Sequence, residues 1–371
     1  MEAQTSPQAA VPLKFTASGA EYFRIWIVNL ALTVVTLGLY SAWAKVRRMK
    51  YFYQNTQLAG AAFNYHGDPK AILKGRFIAL MLLSAWNVAP LDRAWGMAVW
   101  IALAAVWPWI MVRSLRFKRH NSSYRNVRFR FDGKAREVYL PFGLLLGALF
   151  VVAVAFQYGI SHRSAAQTVL GFGAGLLLVG IAPHFHFVMQ QFAATHTLFG
   201  QTRARFKAGA WDYYKVYLLL AGIVAGGVAL IAAVLGGSFA LGGREAGMMA
   251  GVFIVIAALL LIYGFFLFVG PYFQARFQNL TWNNLRLGAH RFRSDVRVWP
   301  LFRLTLANLI LTGLTLGFYR PFAVVRTLRY RIEAVSLVPA GDLDSFVGAS
   351  EAEVAAVGEE AVDLFDLDIA L

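Results

Sequence analysis

Among the polar side chains inside the apolar stretches of this 371-residue chain, Asn29, Asn308, His184 and His186 are the candidates for chemistry. The two histidines are two residues apart beside Pro183, with His196 further on. Metal ligands on a helix favour a spacing of three or four, because residues two apart point to different faces. There is no cysteine, no H-E-x-x-H and no carboxylate close by, so packed or interfacial histidines are expected and no metal or cofactor is implied. Asn29 and Asn308 occupy matching points in two apolar helices, with Thr33 and Thr312 one turn later. A polar group inside such a helix is costly, and it either lines a path for a small solute or bonds across to another helix. Both readings stay open. No Asp or Glu falls in the middle of any apolar run, which disfavours proton- or sodium-coupled transport through a carboxylate. No clustered acid, base or nucleophile is found, so an enzyme is not expected.

The elements that carry these residues are related to one another. Residues 29–51 return as 308–330, with 12 of 23 aligned positions identical, which marks an internal repeat. Each copy is an apolar helix, a glycine (Gly38 or Gly317), an aromatic residue and then a run of bases and aromatics. That order suits a helix leaving a bilayer on its positively charged side. Ala42-Trp43, Pro108-Trp109, Pro183-His184, Pro271-Tyr272 and Pro321-Phe322 mark five such helix ends. Hydrophobic residues make up 58% and charged residues 15%, where soluble domains have roughly 45–50% and 25%. The net charge of +16 is asymmetric, because 9 of the 19 acids follow residue 340, where no base occurs. The bases lie between apolar runs, so the expected partner is a bilayer with anionic headgroups and not nucleic acid. Lys45, Arg47, Arg48, Arg113, Arg116, Arg276, Arg326 and Arg329 form the expected cytoplasmic basic face.

Three helical hairpins are expected between the two copies, with apolar cores at 77–90 and 94–112, 139–160 and 168–192, and 216–235 and 248–268. Their internal loops, 91–93, 161–167 and 236–245, are short and poor in charge; the loops between hairpins are basic and belong in the cytoplasm. G-x-x-x-G spacings at Gly143/Gly147, Gly171/Gly175, Gly222/Gly226 and Gly247/Gly251 suit close helix packing. Strand-like pieces follow the helix ends at 57–65, 124–131, 198–206, 285–292 and 332–338. The expectation is an all-α polytopic membrane protein with internal repeats and six full transmembrane helices. Two related terminal segments, re-entrant or spanning, flank these, and short cytoplasmic strands lie between hairpins. A break near Gly38 and Gly317 reconciles the charge rule with the short apolar run before Arg320. Residues 1–12 are expected to be disordered, 13–338 to form the transmembrane domain, and 339–371 to be an acidic, disordered tail with a short amphipathic helix at 359–371.

The motif E-Y-F-x-I-W-x-x-N at 21–29 and T-L-G-x-Y-x-x-W-A-x-x-R at 36–47 resemble the YjgN-like family of bacterial inner-membrane proteins, as does N-T-x-L-x-G-x-x-F-x-Y-x-G at 55–67. The resemblance covers residues 13–338 and implies a multi-pass protein of the bacterial inner membrane, with no assigned activity. The second copy departs from the pattern, with Arg320 and Phe322 where the first has Ser41 and Trp43. The function expected from the residues is a passive or weakly coupled pathway for a small solute of unknown identity, using the basic mouth with Asn29, Asn308, His184 and His186. The alternative is a non-catalytic scaffold or lipid-interacting protein that uses the same bases for headgroups.

Overall fold

The computed structural model describes residues 9–88, 94–162, 165–241 and 243–357. Its organising element is a sheet. Eleven short strands pair antiparallel in the order β1-β11-β10-β9-β8-β7-β6-β5-β4-β3-β2. They are β1 (Val11–Pro12), β2 (Lys14–Phe15), β3 (Thr56–Leu58), β4 (Ala61–Tyr65), β5 (Ser122–Tyr124), β6 (Val127–Phe131), β7 (Thr197–Phe199), β8 (Thr202–Phe206), β9 (Leu285–Leu287), β10 (His290–Ser294) and β11 (Val335–Val338). The two end strands, β1 and β2, belong to one extended stretch. Val11 and Pro12 pair with Leu337 and Ser336, the Leu13 N–H donates to the Val335 carbonyl, and Lys14 and Phe15 pair with Gln57 and Thr56. Five residues thus hand their pairing from the last strand to the first hairpin, and the sheet closes on itself without a free edge.

The five-residue strands β6, β8 and β10 alternate as those of a one-sided sheet must. In β6, Val127 and Phe131 are buried while Arg128 and Arg130 are exposed. Leu13, Leu58, Tyr124, Val127, Phe199, Val335 and Leu337 fill the inner face as one cluster. Two-residue turns join the hairpins. Ala59 and Gly60 (φ +46° and +79°) and Arg125 and Asn126 (φ +46° and +65°) both take left-handed backbone, as the twist of a hairpin demands.

Helices leave and re-enter the sheet at the side opposite these turns: α1 (Gly19–Val35), α2 (Ser41–Gln54), α3 (Pro69–Val88), α4 (Ala94–His120), α5 (Arg136–His162), α6 (Ala165–Thr195), α7 (Ala210–Leu241), α8 (Gly243–Asn284), α9 (Val298–Leu314) and α10 (Arg320–Glu333). Each packs on its neighbour in the chain, and α1 packs on α10, so the helices follow the same closed circuit as the strands. Five junctions hold them. Tyr22, Ile72, Val138, Tyr213 and Leu301, each near the start of a helix, are buried at these junctions. Ala42, Pro108, Pro183, Pro271 and Pro321 are buried on the facing helices. The same backbone bond recurs at all five: Thr16, His66, Asp132, Lys207 and Asp295 donate to the carbonyls of Asn55, Asn121, His196, Asn284 and Ala334. Asn55, Asn121 and Asn284 also return their side-chain N–H to the carbonyl four residues back, satisfying a helix-end acceptor that has no partner within the helix.

The all-α expectation is therefore corrected: a closed eleven-stranded sheet sets the ring on which the helices stand. Strands of two to five residues carry too little periodicity to compete with long apolar runs. The count of six full spans is corrected as well. Among the described residues one helical segment, Ala98–His120, is long and apolar enough to cross a membrane. The long helices run on unbroken from apolar stretches into the basic, aromatic segments that seat on the sheet, as α8 does through Arg276 to Asn284. The expected loop 236–245 is helical on both sides of residue 242. Added β-carbons at Gly143, Gly147, Gly175, Gly222, Gly226 and Gly251 would meet nothing within 4 Å, so these glycines do not seat one helix on another. Residues 1–8, the loop 91–93 and residues 358–371, with the helix expected at 359–371, lie outside the described residues. Within the stretch read as a tail, α11 (Leu343–Val357) packs Leu343, Phe346 and Val347 onto the sheet's inner cluster.

Candidate functional site

The chain reverses direction at Gly38 and again at Gly317. Thr36 ends α1, Leu37 and Gly38 follow with φ of +49° and +92°, and the Gly38 N–H reaches back to the Thr33 carbonyl at 2.7 Å. Leu316 and Gly317 (φ +50° and +95°) repeat this, with Gly317 bonded to Thr312 at 2.7 Å. This is the glycine-containing end that helices use to satisfy their last carbonyls, except that a leucine takes the left-handed position. Thr36 and Thr315 serve both arms. Each hydroxyl donates to the carbonyl four residues back and accepts the N–H of Tyr40 or Tyr319 four residues on.

The resulting hairpins, α1–α2 and α9–α10, stand side by side. Phe23 and Phe322 are 5.7 Å apart, Trp26 and Phe318 meet edge to face at 6.4 Å, and Arg329 donates to the Ala17 carbonyl at 2.7 Å. Their tips are apolar and open. Leu37 is 96% and Leu316 91% exposed, and Val34, Val35, Leu39, Leu314 and Phe318 are exposed around them. An exposed leucine in left-handed backbone costs about 1–2 kcal/mol of strain before any contact is made. In water such a tip has nothing to offset that cost.

One to two turns into α2, below the tip of the first hairpin, cations from three helices converge. Burial, then Arg76, Lys118 and Arg48, hold the Lys45 ammonium below its usual range. Arg76 also donates to the Ser41 hydroxyl, and Arg48 reaches Tyr22. Three like charges around a half-buried ammonium make a site that an anion would stabilise. Sequence spacing pointed to Lys45 and Arg48 but not to Arg76 and Lys118. Only the packing of α2 on α3 and α4 through Ala42, Ile72 and Phe117 brings them together.

The other expected basic residues have separate roles. Arg113 and Arg276 lie over the rings of Trp109 and Tyr272, at 5.4 and 5.8 Å. Arg116 donates to the Gly133 carbonyl, Arg326 to Asn308 and Tyr319, and Arg47 is exposed. Asn308 is buried, and its amide N–H groups reach the Ala323 carbonyl (3.3 Å) and the Thr327 hydroxyl (3.1 Å). Asn29 is equally buried, but its Oδ1 has no partner. His184 is exposed, whereas His186 is packed, with Nδ1 3.2 Å from the Tyr217 hydroxyl and its ring 4.3 Å from Phe277. The structure does not bring these four residues into one site. Among the described residues no three His, Asp or Glu side chains are grouped to hold a metal.

A family model described as a bacterial protein of unknown function (DUF898) matches residues 10–364. The inner membrane protein YjgN of Salmonella typhimurium is 28% identical over 366 residues, covering 90% of this chain and 89% of the relative. The protein of the same name from Escherichia coli O157:H7 is 24% identical over 359 residues, covering 89% and 88%. These relatives carry the family name to which the motifs at 21–29, 36–47 and 55–67 pointed. No solved structure matches the chain.

Proposed function

We propose, from a chain that belongs to the DUF898 family, an integral inner-membrane protein with a non-catalytic, lipid-engaging role. The observation that carries this reading is the pair of apolar hairpin tips. Burying seven large apolar side chains in hydrocarbon is favourable by on the order of 10 kcal/mol, enough to offset two strained leucines. Each hairpin arm is short. The 17 residues of α1 or α9 rise roughly 25 Å, less than the ~30 Å of a bilayer's hydrocarbon. The hairpins therefore enter the membrane from the sheet's side and turn back inside it, beside the α4 segment Ala98–His120. The cations around Lys45 then lie at headgroup depth, where anionic lipid neutralises them. The matching turn geometry of the two hairpins supports an internal repeat, in which two copies of one insertion unit close the ring.

Depth-resolved fluorescence tests this. Tryptophan at Leu37 or Leu316 in reconstituted protein should be quenched by lipid brominated along its acyl chains and not by aqueous iodide. Quenching by iodide alone would reject insertion. A second reading, a pathway for a small solute, is favoured by the unpartnered Oδ1 of Asn29. A cysteine at position 29 that reacts with a water-soluble thiol reagent in the inserted protein would support it.

A further inference from the structure

On the outer face of the sheet, three arginines stand in one row across three neighbouring strands. Arg205 of β8 lies directly opposite Arg286 of β9, and Arg286 lies directly opposite Arg291 of β10. Their neighbours Leu287 and Phe292 point inward to the sheet's core, so the three guanidinium groups share the outside. Cross-strand partners sit about 5 Å apart, and like charges placed there repel. Among the described residues none of the three has a carboxylate partner; the nearby acid Asp132 is taken by Arg203.

The other hairpins serve as internal controls. The middle residue of each short strand is Gln57 in β3, Ser123 in β5 and Leu198 in β7, and only in β9 is it an arginine. Ser123 is paired with Asn64 and Arg128, and Leu198 with Arg130 and Arg203, so elsewhere a neutral side chain separates the strands' charges. Nothing in the fold requires Arg286.

We propose that Arg205, Arg286 and Arg291 form a binding site for a soluble polyphosphate anion, such as the phosphate chain of a nucleoside polyphosphate. Strands are about 4.8 Å apart, so three guanidinium groups span roughly 10 Å. That length suits consecutive phosphates better than one, and the planar donor fork of each arginine pairs with phosphate oxygens two at a time. The aqueous source follows from depth and rests on the membrane reading above. In α4 the first base after the apolar run is Arg113, and Ser123, which matches Arg286 in its strand, is ten residues on. Helical and extended rises put that roughly 18 Å further from the hydrocarbon, whereas the headgroup layer is only about 5–8 Å thick. The row therefore faces solvent beyond the lipid phosphates.

Titration calorimetry of the full-length protein in detergent, with inorganic tripolyphosphate as probe, tests the assignment. Saturable binding is expected at low salt, weakened at least tenfold by Arg286→Ser, the residue present in β5. Arg291→Gln should act likewise, while Arg128→Gln, exposed on another row of the same face, should leave binding within twofold. Unchanged thermal unfolding of these variants would separate loss of the site from loss of the fold. No saturable binding, or equal weakening by Arg128→Gln, would overturn the proposal. So would row variants that impair binding to phosphatidylglycerol vesicles but not to tripolyphosphate, which would assign the row to headgroups. Binding that appears only after residues 358–371 are deleted would assign it to the chain's own acidic end and equally overturn it.

Discussion

Ser350 rests on Gly200 so closely that a β-carbon added to the glycine would lie 2.9 Å from that of the serine. Gly200 opens the turn between β7 and β8 with φ +59°, and Ser350 lies on α11, so a turn and a helix 150 residues apart share one contact. Phe346, one turn earlier, stacks on Phe199 and meets His290 edge to face at 4.6 Å, and Asp344 pairs with Arg125 in the turn after β5. The helix lies across the turn end of the closed sheet.

Gly200→Ala should therefore loosen α11. The left-handed backbone and the close approach to Ser350 add, and a loss of about 1–3 kcal/mol of docking is expected. The chain has no cysteine, so a spin label at Ala349→Cys reports on α11 alone. Its mobility should rise in the Gly200→Ala background while the global unfolding temperature shifts by only a few degrees. An immobile label there would show that the contact does not hold the helix.

Docking of α11 should weaken in acid. His290 is buried, and its Nδ1 accepts the Ala340 N–H at 3.3 Å. Burial holds its pKa below the ordinary 6.5. The undocked state then binds the proton more readily, so this contribution is complete above pH 6.5 and is lost as pH falls through that value towards the depressed one. Asp342 acts with the same sign at lower pH. The N–H groups of Ser345 and Asp344 hold its carboxyl below 3.8, and protonation there removes the start of the helix. The label at residue 349 should become mobile between pH 7.5 and 5.5, and His290→Phe should abolish that change.

The two asparagines should respond differently to replacement. Asn308→Leu strands Thr327 and Arg326 and should cost about 1–3 kcal/mol. Asn29→Leu removes an oxygen that already lacks a partner, so the cost should stay within about 1 kcal/mol. Thermal unfolding of both variants in one detergent decides it. Equal losses would mean that Asn29 is as firmly bonded as Asn308.

Gly19→Ala should strain the seam between the first and last hairpins. Its β-carbon would lie 2.6 Å from a ring carbon of Phe322, which Tyr319 holds by stacking and Phe23 by a tilted ring contact. Overpacking of this kind costs about 1–3 kcal/mol. Phe322→Leu should recover part of the loss in a double-mutant cycle, and purely additive effects would argue against the contact.

Much of this arrangement was legible in residue order. The breaks at Gly38 and Gly317 can be read directly, and strands lie in each of the five stretches expected to hold them. The expected helix ends are corrected: Pro108, Pro183 and Pro271 lie inside continuous helices, and Ala42 and Pro321 lie in the first turns of α2 and α10. The first four strand stretches proved to be hairpins. Their turns, Ala59-Gly60 and Arg125-Asn126 among them, lack the Asn-Gly or Asp-Gly signature that announces a left-handed pair. Closure of the sheet was illegible for another reason: Val11 to Phe15 is too short for its alternation to specify two partners more than 270 residues apart. The cations gathered at Lys45 and the arginine row depend on packing and register, which spacing along the chain does not encode. Helix α11 was hidden because three apolar residues among acids resemble a solvated tail until a sheet is there to receive them.

The closing stretch also imposes an order in time. Residues 11–15 are made before the other strands, yet half of their backbone partners lie in β11, which is made after all of them. Until β11 arrives, the growing sheet keeps two exposed edges, and the early hairpins wait with their inner faces uncovered. Translation must pass β11 before the ring locks, and α11, following β11 directly, can then settle over the turns. A nascent chain halted before Val335 is thus caught as an open ribbon, ready to pair with another copy of itself. A late premature stop should therefore yield aggregation-prone chains rather than a smaller version of the fold.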